Sequence, residues 1–148
     1  MSQEKSKLII KFLGYIPTEI KTFFKKFKKF NSINKLDKKM LKYINYSNGY
    51  YLECGANDGV NQSNTWYFEK CLNWSGILIE PHPKQFVKLK NNRKSSNLFF
   101  DSCLVSNEYK KDYIFLTDHN LYSSASEQFD EKKYKVKTAT LESILEKS

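Results

Sequence analysis

No run of apolar residues in this chain is long enough to cross a bilayer. The best candidate, Leu8-Ile9-Ile10 with Phe12-Leu13, is broken by Lys11 and followed by Pro17, far short of the ~20 residues a spanning helix needs. No small-residue cleavage site follows that would make it a signal peptide. Cysteine is equally scarce. Cys54, Cys71 and Cys103 are odd in number, far apart, and form neither a CxxC pair nor a zinc spacing, so no disulfide framework and no metal centre is expected. A reduced, cytoplasmic setting fits best, and the N-x-Ser triplets at Asn45, Asn61 and Asn73 then carry no meaning as glycosylation sites. The dinucleotide fingerprint Gly-x-Gly-x-x-Gly is missing, as is any Gly-Lys-Ser/Thr of the phosphate-binding kind. The latter absence argues against phosphoryl transfer.

What the chain does have is an unevenly placed charge. Residues 1–49 carry twelve lysines against Glu4, Glu19 and Asp37, and so hold the whole net charge of +9. Residues 50–148 balance thirteen basic against thirteen acidic groups. The excess is read first as a solvated, lysine-rich helical face, with an anionic surface as the alternative. Leu13, Ile16, Ile20, Phe23, Phe27 and Phe30 recur at steps of three and four, opposite Lys21, Lys25, Lys26, Lys28 and Lys29. This predicts a basic amphipathic helix over 17–30. Packing on the domain or on another subunit is the ordinary use of such a stripe. A weak membrane-surface contact through residues 8–30 is the alternative, and nucleic acid is not the expected partner. Residues 34–46 repeat the pattern with Leu36, Met40, Tyr43 and Ile44. The arm is therefore set at 1–49, with one domain over 50–148.

From residue 50 the periodicity changes. Tyr50–Cys54 and Gly76–Glu80 read as buried parallel strands. Residues 63–72 and 83–92 read as helices, the first capped by Ser63 and the second opened by Pro83. A third strand runs from Leu98 to about Val105. Strand, helix, strand, helix, strand implies an α/β fold with a parallel sheet. Further on, Tyr113–Leu116 suggests an added strand, 117–131 a polar loop, Val136–Thr140 another strand and Leu141–Lys147 a short helix.

The residues that carry chemistry cluster at the ends of the first two strands. Glu53-Cys-Gly-Ala-Asn-Asp-Gly59 is a strand emptying into a Gly-x-x-x-Gly turn. Gly55 and Gly59 would let backbone approach a ligand closely, with the free N–H groups of the next helix behind them. Glu80 ends the second strand, where an acid accepts both hydrogen bonds of a ribose diol. Glu53, just before the first glycine, is awkward for a pyrophosphate but suits a cationic ligand such as an amino group or a sulfonium. The alternative for Asn57-Asp58-Gly59 is a plain turn.

Tyr51 to Lys70, then Trp74-Ser-Gly-Ile-Leu-Ile-Glu-Pro81, Asn92-Arg93, Cys103-Leu-Val-Ser106 and Thr140-Leu-Glu-Ser-Ile-Leu145 resemble the FkbM family of methyltransferases. The resemblance covers roughly residues 50–146. It implies a Rossmann-like class I methyltransferase domain, S-adenosylmethionine as cofactor, and methylation of a hydroxyl oxygen on a sugar, glycan or other small molecule. It implies Glu53, Gly55, Ala56, Asn57, Asp58 and Gly59 around the methionine part of the cofactor, Glu80 on the ribose with Pro81 beside it, and Asp101 and Ser102 near the adenine. One departure stands out: the family's Asp-Val-Glu-Gly strand, expected after Leu145, is absent, so the domain looks truncated. A truncated sheet would leave an edge unpaired, to be covered by a homodimer partner or a complementing chain, and the chain would then be a cofactor-binding remnant or half of a split enzyme. No catalytic base is assigned. His82, and His119 with Asp118, are read first as loop histidines. Cys54, Trp66 and Trp74 are read as core residues, and Ser63-Asn64-Thr65 as a cap or a functional signature.

Overall fold

The computed structural model describes residues 30–117, 125–126 and 133–148. Apart from Phe30, the basic helix, its surface contact and the Asp118–His119 pair lie outside those residues.

Strands β1 (Tyr50–Cys54), β2 (Ser75–Ile79) and β3 (Leu98–Phe100) form a parallel sheet in the order β1-β2-β3. Helices α2 (Trp66–Leu72) and α3 (Pro83–Asn92) supply the two crossovers. The mixed α/β alternation is thus as expected, and Tyr50–Cys54 and the second helix fall where periodicity placed them. One side of the sheet carries the main core, in which Tyr51, Leu78, Phe68, Trp74 and Leu89 are buried together. The other packs Ile77 and Ile79 against Ile144 of α4 (Leu141–Leu145). Thr140 caps α4 by accepting from the Ser143 backbone N–H at 3.1 Å.

The third strand is split. After Asp101 it continues as β4 (Ser102–Leu104), which leaves β2 and pairs with β7 (Lys133–Ala139). β7 in turn pairs antiparallel with β5 (Tyr113–Thr117), and β5 with the short β6 (Ala125–Ser126). This second sheet has its own small core of Ile114, Leu116 and Val136. The sheet order therefore turns a corner at Asp101, a feature that local patterning does not encode. Among the described residues, β1 pairs only with β2.

Residues 30–46 are attached to this frame. A 3-10 turn (Ile33–Lys35) leads into α1 (Leu36–Met40), so the helix expected over 34–46 is only five residues long. Met40, Leu41 and Ile44 pack on the main core, while Leu36 and Tyr43 of the expected face are exposed. The segment is locked by Asp37, which is wholly buried. Its carboxylate accepts from Asn31 N at 2.8 Å and Ser32 Oγ at 2.7 Å, and Ser32 Oγ accepts from Asp37 N at 2.8 Å. The exchange satisfies the Asp37 N–H in the first turn of α1, and Asp37 Oδ1 also accepts from Lys38 N at 2.8 Å. Phe30 stacks on Tyr67 at 4.6 Å. No helix among the described residues is long and apolar enough to cross a membrane.

Candidate functional site

The carboxyl ends of β1 and β2 open into a cleft of about 340 Å³, within the size range of small-molecule sites. Both expected carboxylates, Glu53 and Glu80, line it, as do Gly55, Ala56, Asn57 and Pro81. The turn is pinned from below, because Gly55 N and Ala56 N donate to the Ile79 carbonyl at 2.9 and 3.0 Å.

Glu80 is buried at the cleft floor. Its Oε2 accepts from Asn57 N at 2.7 Å and its Oε1 from His82 N at 2.8 Å. Burial raises its pKa above the ordinary 4.5, while these two N–H bonds pull the other way. Each oxygen keeps lone pairs for a ligand hydroxyl.

Glu53 is engaged differently. Its Oε2 accepts from Ser63 Oγ at 2.9 Å and from the Thr65 hydroxyl, and its Oε1 from Asn64 N at 2.7 Å. The Arg93 guanidinium lies 3.6 Å away. Its first task is therefore to hold the 63–65 segment, which answers what Ser63-Asn64-Thr65 does. The helix expected over 63–72 starts only at Trp66, with Thr65 as its N-cap and no side-chain cap bond. Ser63 instead supports the first turn from the preceding loop, its Oγ accepting from Trp66 N at 3.0 Å.

The two glycines of the turn serve different ends. Both have positive φ, +70° at Gly55 and +79° at Gly59, which favours glycine. Above Gly55 a methyl would meet nothing within 4 Å; this is open cleft. At Gly59 it would strike Leu89 Cδ1 at 2.7 Å and Arg93 Cγ at 2.8 Å. Gly59 is thus required by packing and does not line the cleft, contrary to the ligand contact expected of it. Asp58 also turns away, accepting from Val60 N at 2.9 Å and Asn61 N at 2.7 Å.

Asp101 and Ser102 are not brought to the cleft. Asp101 is exposed and pairs with Lys137 at 3.3 Å, and Ser102 is buried in β4 where the strand changes sheets. Other lining residues were not singled out from sequence: Ile33, Asn61, Gln62 and Leu116. They come from the segment before β1, from the loop before α2 and from the second sheet, and only tertiary packing unites them. His82 and Cys54 do line the cleft. His82 is buried and meets the Tyr134 ring edge-on at 4.9 Å. Cys54 is exposed rather than core, and its thiol pKa is raised by partial desolvation and by the neighbouring Glu53 charge. Trp74 is core as expected, and Trp66 is half-buried at the start of α2. No group of three His, Cys, Asp or Glu among the described residues is placed to hold a metal.

The model of the family described as "Methyltransferase FkbM domain" matches residues 53–148. No curated protein and no solved structure gives a significant match.

Proposed function

The chain belongs to the FkbM methyltransferase family, and from that premise we propose that its cleft binds S-adenosylmethionine for methyl transfer to a hydroxyl oxygen of a sugar, glycan or other small molecule. One observation carries the reading. A left-handed glycine with empty space above it, Gly55, and a buried carboxylate, Glu80, line one cleft. The residues fit the group. Gly55 leaves room for a flat or bulky ligand against the backbone, and Glu80 can accept from a ribose diol. Glu53, held by Ser63 and Thr65, places negative charge on the wall where a cationic ligand would sit. When bound, the cofactor supplies an activated methyl on a sulfonium. The chain's own part is to bind and orient it. His82 is the imidazole in the lining, and it is the candidate to take a proton from an acceptor hydroxyl.

Titration calorimetry with S-adenosylmethionine tests the pocket, and a flat trace at millimolar ligand removes the assignment. A second reading, cofactor binding without turnover, draws on the open side of the sheet. β1 pairs on one edge only among the described residues, and Tyr50 and Leu52 are exposed there. A methyl-transfer assay with labelled cofactor and a panel of sugars, run with and without a second copy or complementing chain, separates the two.

A further inference from the structure

Arg93 is the one arginine in the chain, among twenty-four lysines. It follows α3, behind the cleft rather than in its lining, and its side chain is fully shielded from solvent. Nε donates to Glu69 Oε2 at 2.7 Å. Nη2 donates to Tyr51 Oη at 2.8 Å and Thr65 Oγ1 at 2.9 Å. Nη1 donates to the Gly59 carbonyl and to Ser63 Oγ, both at 3.2 Å. One planar group thus joins β1, the end of the glycine turn, the approach to α2, and α2 itself. A lysine ammonium has three donors on a point charge and cannot span these partners.

We propose that Arg93 is a positioning residue for the cofactor turn, fixing Gly59 and the Glu53 carboxylate from behind the cleft. The proposal rests on the reading of that cleft as a cofactor site. Two features support it. First, the turn is clamped at Gly59 from both sides of its peptide frame: Gly59 N donates to the Ala56 carbonyl at 2.9 Å, and Gly59 O accepts from Arg93. Second, the Ser63 and Thr65 hydroxyls both accept from Arg93. Each hydroxyl has one proton, and with Arg93 donating to it that proton is directed at Glu53 Oε2. Together with Asn64 N on Oε1 and the Thr65 and Trp66 N–H groups on Ser63 Oγ, Arg93 therefore helps fix where the carboxylate sits without touching the ligand.

The test compares Arg93→Lys and Thr65→Val with the wild-type chain. Thr65 lies outside the cleft lining, and valine keeps its shape while removing the shared hydroxyl. Two quantities are read well below the melting temperature: S-adenosylmethionine affinity by calorimetry, and hydrogen exchange at the Gly59 amide without ligand. Arg93→Lys is expected to weaken affinity by about tenfold or more and to speed Gly59 exchange about tenfold, with Thr65→Val showing a smaller change of the same sign. Lys70→Ala, which removes the other cation on Glu69, should change neither. A purely structural role would lower the melting temperature while leaving affinity and Gly59 exchange as in the wild type, and that result overturns the proposal. If Arg93→Lys does not fold, Thr65→Val decides on the same two readouts. If the wild-type chain fails to bind the cofactor, the functional reading falls, and Gly59 exchange alone then decides whether Arg93 holds the turn.

Discussion

At Gly55 an added methyl would enter open cleft, and at Gly59 it would strike Leu89 and Arg93. The two alanine substitutions should separate accordingly. Gly59→Ala combines left-handed strain with overpacking and should destabilise by about 1–3 kcal/mol in urea unfolding. Gly55→Ala carries the backbone strain without the clash, so its larger effect should be on cofactor affinity. Glu80→Gln tests the other side of the cleft. An amide cannot accept from both Asn57 N and His82 N and still offer two oxygens to a diol. Losing a charge-assisted bond of this kind costs about 1.5–3 kcal/mol, and calorimetry should show binding weakened roughly 10- to 100-fold. The pH dependence has a definite sign. A ligand hydroxyl donates to ionised Glu80, so the bound state favours the ionised form. Binding should weaken as pH falls through the pKa of free Glu80. Because burial raises that pKa above 4.5, the weakening should begin at a higher pH than for an exposed glutamate.

At the level of elements, periodicity was informative wherever local sequence and burial agree. The place of β1 was legible, but not its burial: expected as a buried strand, it alternates exposed Tyr50, Leu52 and Cys54 with buried Tyr51 and Glu53. Helix α3 begins at Pro83 as its chemistry requires. The glycine turn with Glu53, and Glu80 at the next strand end, were legible because strand-to-turn transitions leave composition marks. What stayed hidden depends on residues far apart in the chain. The strand break at Asp101 follows from pairing with β7, more than thirty residues later. The short α1 arises because the Ser32–Asp37 lock, not a continuous helix, holds that segment. The polar centre behind the cleft is the same kind of feature. Asn97 Oδ1 accepts from Gly76 N at 2.9 Å and Tyr51 Oη lies 2.7 Å from it, while its Nδ2 donates to Glu69 at 2.7 Å. Nothing local marks an asparagine before a strand as the joint between β1, β2 and α2. Asn97→Ala would strand a buried backbone N–H and two side-chain groups, and should cost about 2–3 kcal/mol of unfolding free energy. Chemical denaturation reads it directly, and a loss under half a kilocalorie would mean water replaces the amide.

For the molecule as a whole, acid should be the most damaging condition, and Glu69 sets much of the slope. Burial by itself would raise its carboxyl, but the charge and hydrogen bond of Arg93, with Lys70 and Tyr51, outweigh that and bring it from 4.5 down to about 2. The unfolded chain takes up this proton near pH 4.5, whereas the folded chain resists until about pH 2. The contribution is therefore fully present above 4.5 and lost as pH falls from there toward 2, a loss of order 3 kcal/mol. The raised Glu80 acts in the opposite sense, since protonating it relieves a cost carried by the ionised form. Repulsion adds to the decline, because a chain already at +9 gains charge as its sixteen acids are neutralised. Glu69→Gln isolates the pair. It should be less stable near pH 7 by about 1.5–3 kcal/mol, because Arg93 loses its nearest carboxylate and keeps only Glu53, 3.6 Å away. Its stability should then decline less steeply than wild type between pH 4.5 and 2, since the linked proton is gone. Urea midpoints across that range decide the matter: parallel curves for the two proteins would place the acid sensitivity in general repulsion rather than in the Arg93 cage.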